Sequence, residues 1–132
     1  MTTTEPQKLL CVDDESDIRE IAALSLELDA GFTVKSCASG QEALEALPEF
    51  APDMVLLDVM MPDMDGPATL ERLRQLPEGR TVPVVFITAK AQRQEVEYFL
   101  SLGAVGVIAK PFDPMTLADQ VRSIWESRHG TG

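Results

Sequence analysis

The 132-residue sequence has little cysteine, few aromatic residues and no long apolar run. Its two cysteines, Cys11 and Cys37, are too few for a disulfide scaffold, and both lie in apolar stretches typical of reduced core residues. No run approaches the roughly 20 apolar residues that a membrane-spanning helix needs. Residues 1–7 lack the basic start and the apolar stretch of a secretory signal. We therefore expect a cytoplasmic protein that does not bind a membrane.

Basic side chains are also scarce, because 11 Lys and Arg stand against 22 Asp and Glu, a formal net charge of −11. Binding to a nucleic acid backbone needs clustered Lys and Arg, so we expect no nucleic acid partner. Much of the acidic excess serves solubility alone. The positions of a few acids are more informative than their number.

Short apolar runs alternate five times with longer amphipathic stretches along one domain. We predict a flexible N-terminal lead at 1–7, the domain at 8–127 and a flexible tail at 128–132. The predicted strands are 8–12, 32–36, 53–58, 82–88 and 105–109. Strands separated by helices run parallel, with helices on both faces of one sheet. The pattern predicts an α/β protein with a doubly wound (βα)5 sheet.

Several signals mark where the helices begin and end. Ser39 and Glu42 form a capping-box pattern for the second helix. Gly66-Pro67 opens the third helix, whose inner face includes Leu76, and Asp113-Pro114 starts the last one. Pro48 and Pro52 are expected to bracket a loop before the third strand.

The residues that end the strands carry the chemistry, because ligand sites of such sheets lie at the carboxyl ends of the strands. Asp13 and Asp14 end the first predicted strand, and Asp58 ends the third. Thr88 ends the fourth and Lys110 follows the fifth. Alternatively, any one of these acids is a solvated turn residue or a helix cap, as Asp14 beside Ser16 illustrates. Five such groups on one edge favour a shared site.

This set of side chains suits phosphoryl transfer with Mg²⁺. Two carboxylates about 4 Å apart repel by roughly 4 kcal/mol at an effective dielectric near 20, so three need a cation besides Lys110. Mg²⁺ suits one or two carboxylates, waters and a phosphate oxygen. Asp58 can act as the nucleophile, with Asp14 and Asp58 on the metal and Asp13 acting through water. No His or Glu is placed as a strong general base, so slow hydrolysis is expected.

Four segments together resemble the response-regulator receiver family of two-component signalling, in particular its single-domain, chemotaxis-regulator-like members. The resemblance extends over most of the chain and implies a flavodoxin-like sheet with strand order 2-1-3-4-5. The matching segments are Leu10-Cys11-Val12-Asp13-Asp14-Glu15, Leu57-Asp58-Val59-Met60-Met61-Pro62-Asp63-Met64-Asp65-Gly66, Phe86-Ile87-Thr88-Ala89-Lys90 and Ala109-Lys110-Pro111-Phe112-Asp113.

The resemblance also implies a role for each motif residue. Asp58 is the expected phosphoacceptor, and Asp13 and Asp14 form the acidic pocket, with the Met60 carbonyl completing the metal shell. Thr88 is the expected switch hydroxyl. Lys110 pairs with the phosphate and precedes a cis bond to Pro111. The implied phosphodonor is a sensor histidine kinase, a histidine phosphotransfer protein or a small donor such as acetyl phosphate.

The sequence departs from the family pattern three residues before the lysine, where Val107 replaces the usual Tyr or Phe. The usual coupling of that ring to the threonine is therefore absent, and we expect readout through the loop after Thr88 or the fourth helix. Tyr98 and Phe99 are candidate readout residues there; the alternative is one core and one rim aromatic. Side chains at the positions of Met60 and Lys90 modulate phosphoryl lifetime in the family.

Three functions compete. The first is a stand-alone receiver, monomeric or weakly dimeric, that signals by protein contact and is a switch rather than an enzyme. The second is a receiver module excised from a larger regulator or hybrid kinase. The third is a small aspartyl-phosphate phosphatase, which is disfavoured because such enzymes commonly need an acid two residues after the nucleophile, where this sequence has Met60.

Overall fold

The computed structural model describes residues 6–129, without the side chains of residues 128 and 129. Within that part, five strands alternate with five helices, as predicted. The strands β1–β5 are Lys8–Val12, Thr33–Cys37, Met54–Asp58, Val84–Thr88 and Gly106–Ala109. The helices α1–α5 are Ser16–Ala30, Gly40–Phe50, Gly66–Leu73, Arg93–Ser101 and Leu117–His129, and a 3-10 turn covers Pro77–Gly79.

The strands form one parallel sheet in the order β2-β1-β3-β4-β5. Successive side chains of a strand point to opposite faces. Leu10 of β1 accordingly belongs to a core cluster that includes residues of α2, α3 and α4, whereas Leu9 belongs to one that includes residues of α1 and α5. All five residues of β3 and of β4 are buried, as continuous apolar runs predict. The predicted doubly wound, flavodoxin-like fold is confirmed.

Local signals position the helix ends in three places. The Ser39 hydroxyl accepts a bond from the Glu42 amide at 3.1 Å, and the Glu42 carboxylate accepts one from the Ala38 amide at 2.8 Å. Gly31 ends α1 with a φ of 70°, a conformation that glycine adopts without strain. Pro67 lies in the first turn of α3.

The prediction that Pro48 bounds a loop is wrong, because Pro48 lies inside α2. A proline removes one helix hydrogen bond, but its fixed φ is compatible with helical backbone. Ala43 and Leu47 are fully buried on the inner face of this helix, and the Leu47 carbonyl accepts a bond from the Ala51 amide at 2.9 Å. Packing of that face therefore carries the helix past the proline.

Two other boundaries were misplaced. Asp113 begins a turn rather than α5, because its carboxylate accepts a bond from the Met115 amide at 2.9 Å and its carbonyl one from the Thr116 amide at 3.0 Å. Leu76 lies past the end of α3, in the turn where its amide bonds to the Leu73 carbonyl. It still packs against the core.

The described residues begin before the predicted domain, and α5 continues past the predicted end of that domain. Of the predicted lead, residues 1–5 lie outside the described residues, whereas Pro6 is buried. The Gln7 amide donates to the Asp53 carboxylate at 2.8 Å. The last helix continues through His129, two residues into the predicted tail, whose remaining residues 130–132 lie outside the description. Among the described helices, none is long and apolar enough to cross a membrane.

Candidate functional site

The predicted site residues meet at the carboxyl ends of four neighbouring strands. Val12 pairs with Leu57, so Asp13 and Asp14 follow β1 directly beside the end of β3 at Asp58. Asp58 in turn pairs with Ile87, one residue before Thr88. The Lys110 amide donates to the Thr88 carbonyl at 2.8 Å, which continues the sheet to the end of β5. The fold thus brings together residues that are far apart in sequence.

Three carboxylates form the centre of this edge. Asp13, Asp14 and Asp58 each offer an oxygen, and these atoms all lie within 4.8 Å of one another. Asp13 and Asp58 are 5% and 4% exposed, whereas Asp14 is exposed to solvent. The cluster therefore combines two buried acids with one that reaches the surface.

Lys110 holds the cluster together by pairing with several acids. Its ammonium lies 2.8 Å from Asp13 Oδ2 and 3.2 Å from Asp58 Oδ1. It also lies 3.6 Å from Glu15 Oε1, a contact that was not predicted from the sequence although Glu15 directly follows the acidic pair. Burial opposes the ammonium charge, but the hydrogen bond to Asp13 and the charges of Asp13 and Asp58 outweigh it and raise the pKa of Lys110.

Asp58 lies in surroundings that oppose its charge. Burial, followed by the neighbouring charge of Asp13, raises the pKa of the Asp58 carboxyl from 3.8 to about 6, although Lys110 acts in the other direction. The lysine does not prevail, because one ammonium is shared among several carboxylates and lies closer to Asp13 than to Asp58. Further positive charge at the cluster would therefore stabilise the ionised form of Asp58.

The chemistry of these residues fits a small divalent cation. Three carboxylates and one ammonium carry a net charge of −2, which a divalent ion neutralises. The ligands are hard oxygen atoms, and one exposed acid leaves room for bound water, as Mg²⁺ prefers. Met60 follows the cluster with a side chain that is 68% exposed, and metal binding by its carbonyl stays a prediction.

Thr88 presents a buried hydroxyl next to the acidic cluster. Its side chain is 3% exposed, and its Oγ1 accepts a hydrogen bond from the Lys90 amide at 3.0 Å. This bond ties the hydroxyl to the loop between β4 and α4. The Lys110–Pro111 peptide bond on the other side is cis, as the resemblance implied.

Two backbone contacts fix the loops that carry the acids, and neither was predicted from the sequence. Arg19 Nη1 donates to the Asp13 carbonyl at 2.7 Å. The Gly66 amide donates to the Val59 carbonyl at 2.8 Å, and a Cβ on Gly66 would lie 2.6 Å from the Asp58 carbonyl oxygen. Glycine is therefore required for this close approach, and its place at the start of a helix is the signal that could have identified it.

Val107 lies opposite Phe86 in the β4–β5 register and packs partly buried against the core. The Phe86 ring lies 5.0 Å from that of Phe99, which in turn lies 5.6 Å from Tyr98. Phe99 is buried and Tyr98 is 55% exposed, so the two are a core and a rim aromatic. The row of rings runs from the sheet to the surface of α4.

Comparison with known proteins agrees with this geometry. A family model described as the response regulator receiver domain matches residues 9–122. The transcriptional regulatory protein CseB of Streptomyces avermitilis is 38% identical over 120 residues, 91% of this chain but 49% of that protein. An uncharacterized 14.6 kDa protein of Leptolyngbya boryana is 36% identical over 117 residues, 89% of this chain and 88% of that protein.

A solved structure shows the same fold. The chemotaxis protein CheY4 of Vibrio cholerae superposes with a TM-score of 0.82 at 30% identity, covering 89% of this chain and 98% of that one. The chain thus spans about half the length of CseB but most of the length of the Leptolyngbya and Vibrio proteins.

Proposed function

Because the chain belongs to the response regulator receiver domain family of two-component signalling, we propose that it accepts a phosphoryl group on Asp58 and signals by a change of conformation. The observation that carries the proposal is the position of Asp58, a buried carboxylate within 4.8 Å of two other acids and paired with Lys110. Receiver domains of this family partner with histidine kinases, so we propose phosphohistidine as the donor.

In the proposed reaction, an oxygen of Asp58 forms a bond to the phosphorus atom while the bond from phosphorus to the histidine nitrogen breaks. The electron pair of that bond leaves with the imidazole, which takes up a proton. Lys110, 3.2 Å from Asp58 Oδ1, offsets negative charge at the new phosphoryl group. The Thr88 hydroxyl can donate a hydrogen bond to a phosphoryl oxygen.

Asp14 and Asp58 would hold Mg²⁺ directly, with Asp13 acting through water and the Met60 carbonyl completing the shell. When bound, Mg²⁺ neutralises charge on the transferring phosphoryl oxygens. The chain's own contribution is to hold three oxygen ligands close together before the ion arrives. The net charge of −2 on the three acids and Lys110 supports this assignment.

A protein donor is supported by a groove beside the site. This groove has a volume of about 320 Å³ and is lined mainly by apolar side chains, with Lys110 among the lining residues. Ile18 and Ile21 of α1 line one side, and Pro111 and Phe112 line the other. An apolar surface next to a charged site suits a protein surface that delivers phosphohistidine. Such a donor places the reaction in the cytoplasm.

The signal would leave through the loop after β4. The Lys90 amide holds the Thr88 hydroxyl, so a new phosphoryl acceptor for that hydroxyl would pull on this loop and on α4. Val107 offers no ring for the usual coupling. The side chains of Met60 and Lys90, both exposed, would set how readily water reaches the phosphoryl group.

A second candidate is the same receiver acting within a larger regulator. It is favoured by the match to only 49% of CseB, whose name describes a transcriptional regulator. A phosphatase is disfavoured because Met60, two residues after Asp58, supplies no general acid. We propose a switch that slowly loses its phosphoryl group, not an enzyme acting on other molecules.

Phosphorylation with acetyl phosphate and Mg²⁺ tests the proposal. Wild type should gain one acid-labile phosphoryl group by intact mass, and Asp58→Asn should gain none. Asp29→Asn is the control, because Asp29 lies exposed at the far end of α1. Undiminished labelling of Asp58→Asn would overturn the assignment.

A further inference from the structure

Among residues 6–129, Arg19 is the one arginine with a hydrogen bond to a residue of the acidic cluster. It nevertheless forms no ion pair with any of the three carboxylates. It lies in the first turn of α1, where its side chain is half-buried. Its Nη1 donates to the backbone carbonyl of Asp13 at 2.7 Å. A bond from a charged donor is among the stronger hydrogen bonds, so this contact constrains the backbone between Asp13 and Asp14.

Every polar group of Asp13 is engaged. Its amide donates to the Cys37 carbonyl at 3.1 Å, and its Oδ1 accepts from the Glu15 amide at 2.9 Å. Its Oδ2 faces the Lys110 ammonium, and its carbonyl accepts from Arg19. Asp13 is therefore fixed from four directions.

Asp14 is different, because its side chain has no hydrogen bond or ion pair to any residue between 6 and 129 and is exposed. Its backbone therefore sets the direction in which its side chain leaves the chain, and no side-chain contact holds the carboxylate further. A peptide unit is planar, so fixing the Asp13 carbonyl also fixes the orientation of the Asp14 amide. Arg19 holds that peptide plane.

We propose that Arg19 is a positioning residue that aims Asp14 at the cation of the proposed site. The inference rests on the proposed function, since it concerns how the same acids capture Mg²⁺. Arg19 contributes no metal ligand and no contact to the phosphoryl group. It acts through the Asp13–Asp14 peptide.

The sign of the effect separates positioning from simple electrostatics. A positive charge near a cation site opposes binding of a second cation, so loss of the guanidinium charge alone would strengthen Mg²⁺ binding. Loss of a positioning contact would weaken it, and removal of outer contacts of metal ligands typically costs about 10- to 100-fold in affinity. The two accounts predict opposite changes.

The test is an Mg²⁺ titration of the phosphate-free chain, followed by calorimetry and by the NMR signal of the Asp14 amide. Arg19→Gln should bind Mg²⁺ about tenfold more weakly than wild type and shift the Asp14 amide signal before metal is added. The control is Arg93→Gln, which removes the same charge from the surface of α4, where Arg93 pairs with Glu97 at 3.4 Å. The control should bind like wild type.

Urea unfolding in EDTA separates positioning from a role in the fold. A merely structural arginine would lower stability in EDTA and leave the Mg²⁺ affinity of the folded protein unchanged. Should Arg19→Gln not fold, Arg19→Lys replaces it, because lysine keeps the charge but lacks the planar, rigid donor group. Equal or tighter Mg²⁺ binding by the folded variant would overturn the inference. Absence of Mg²⁺ binding by wild type would instead contradict the proposed function.

Discussion

Asp58 is a buried carboxylate whose neighbours act on its charge in opposite directions. Burial and Asp13 favour its neutral form, and Lys110 favours its ionised form. Lys110 is itself divided among Asp13, Glu15 and Asp58. In the metal-free site the negative charge of Asp58 is therefore only partly compensated, and a bound cation or a closer approach of Lys110 would stabilise it.

Asp58→Asn should stabilise the metal-free protein at neutral pH. The pKa of Asp58 is raised to about 6, so the folded state binds a proton more tightly than the unfolded chain does. Below about pH 4 the raised pKa does not lower the free energy of unfolding of the wild type. This free energy falls as the pH rises from there to about 6. Above about pH 6 the loss of unfolding free energy is constant and amounts to at most roughly 3 kcal/mol.

Urea unfolding in EDTA between pH 4.5 and pH 8 checks this prediction. The advantage of Asp58→Asn over wild type should grow up to about pH 6 and then level off. Asp29→Asn should show no such rise. A variant that is less stable than wild type at pH 7 would mean that Lys110 outweighs burial at this site.

Among the elements, the sequence predicted the types and order of strands and helices well, because apolar periodicity reports burial directly. The ends of the helices were harder to predict. Pro48 indicates a break on its own, but the buried face of α2 continues past it. Asp113-Pro114 is a start signal whose turn precedes α5 by several residues. Tertiary packing decided the first case, and turn geometry decided the second.

The strand ends of the site were predictable for a similar reason. Parallel strands place their carboxyl ends on one edge, so Asp13, Asp58 and Lys110 were expected together. Arg19 and Glu15 were not, because they lie on α1 and in the loop before it. Their contacts depend on how that loop turns, which periodicity does not report.

Ile21→Ser should reduce phosphotransfer from a histidine phosphotransfer protein or kinase but not from acetyl phosphate. Ile21 lines the groove beside Lys110 and is 43% exposed, whereas a small donor needs no apolar docking surface. Leu28→Ser is the matched control, since Leu28 is exposed on the same helix about 10 Å further along it. The measurement compares initial rates with both donors.

Loss of rate with both donors would indicate damage to the site itself. Equal rates for all three proteins with the protein donor would contradict a docking role for the groove. We expect Ile21→Ser to slow the protein donor severalfold, which corresponds to loss of one partly buried aliphatic contact.

Across the whole molecule, acidic side chains outnumber basic ones by 22 to 11. The fold brings three of the acids together with Lys110 on one edge of the sheet. Two apolar cores, one on each face of the sheet, pack against β1 and β3 and offset the cost of bringing these acids together. A bound cation should therefore stabilise the entire domain and not only the loops, because ligand binding to the folded state raises the free energy of unfolding.

Mg²⁺ should raise the melting temperature of wild type, and above the dissociation constant the stabilisation should grow with the logarithm of the Mg²⁺ concentration. At 100 times that constant the stabilisation is about 2.7 kcal/mol. Asp14→Ala should lose most of this shift, and Asp29→Ala should retain it. Equal shifts in Asp14→Ala and wild type, measured by calorimetry with MgCl₂ and with EDTA, would mean that Asp14 does not bind the ion.

The most direct test of the account is to locate the phosphoryl group after transfer from phosphohistidine. Borohydride reduces an aspartyl phosphate to homoserine, which peptide mass spectrometry then identifies at a single position. We predict that residue 58, and no other acid of the cluster, is converted after incubation with a phosphorylated histidine phosphotransfer protein and Mg²⁺. Conversion at Asp13 or Asp14, or none at all in a protein that has taken up phosphate, would contradict the central claim.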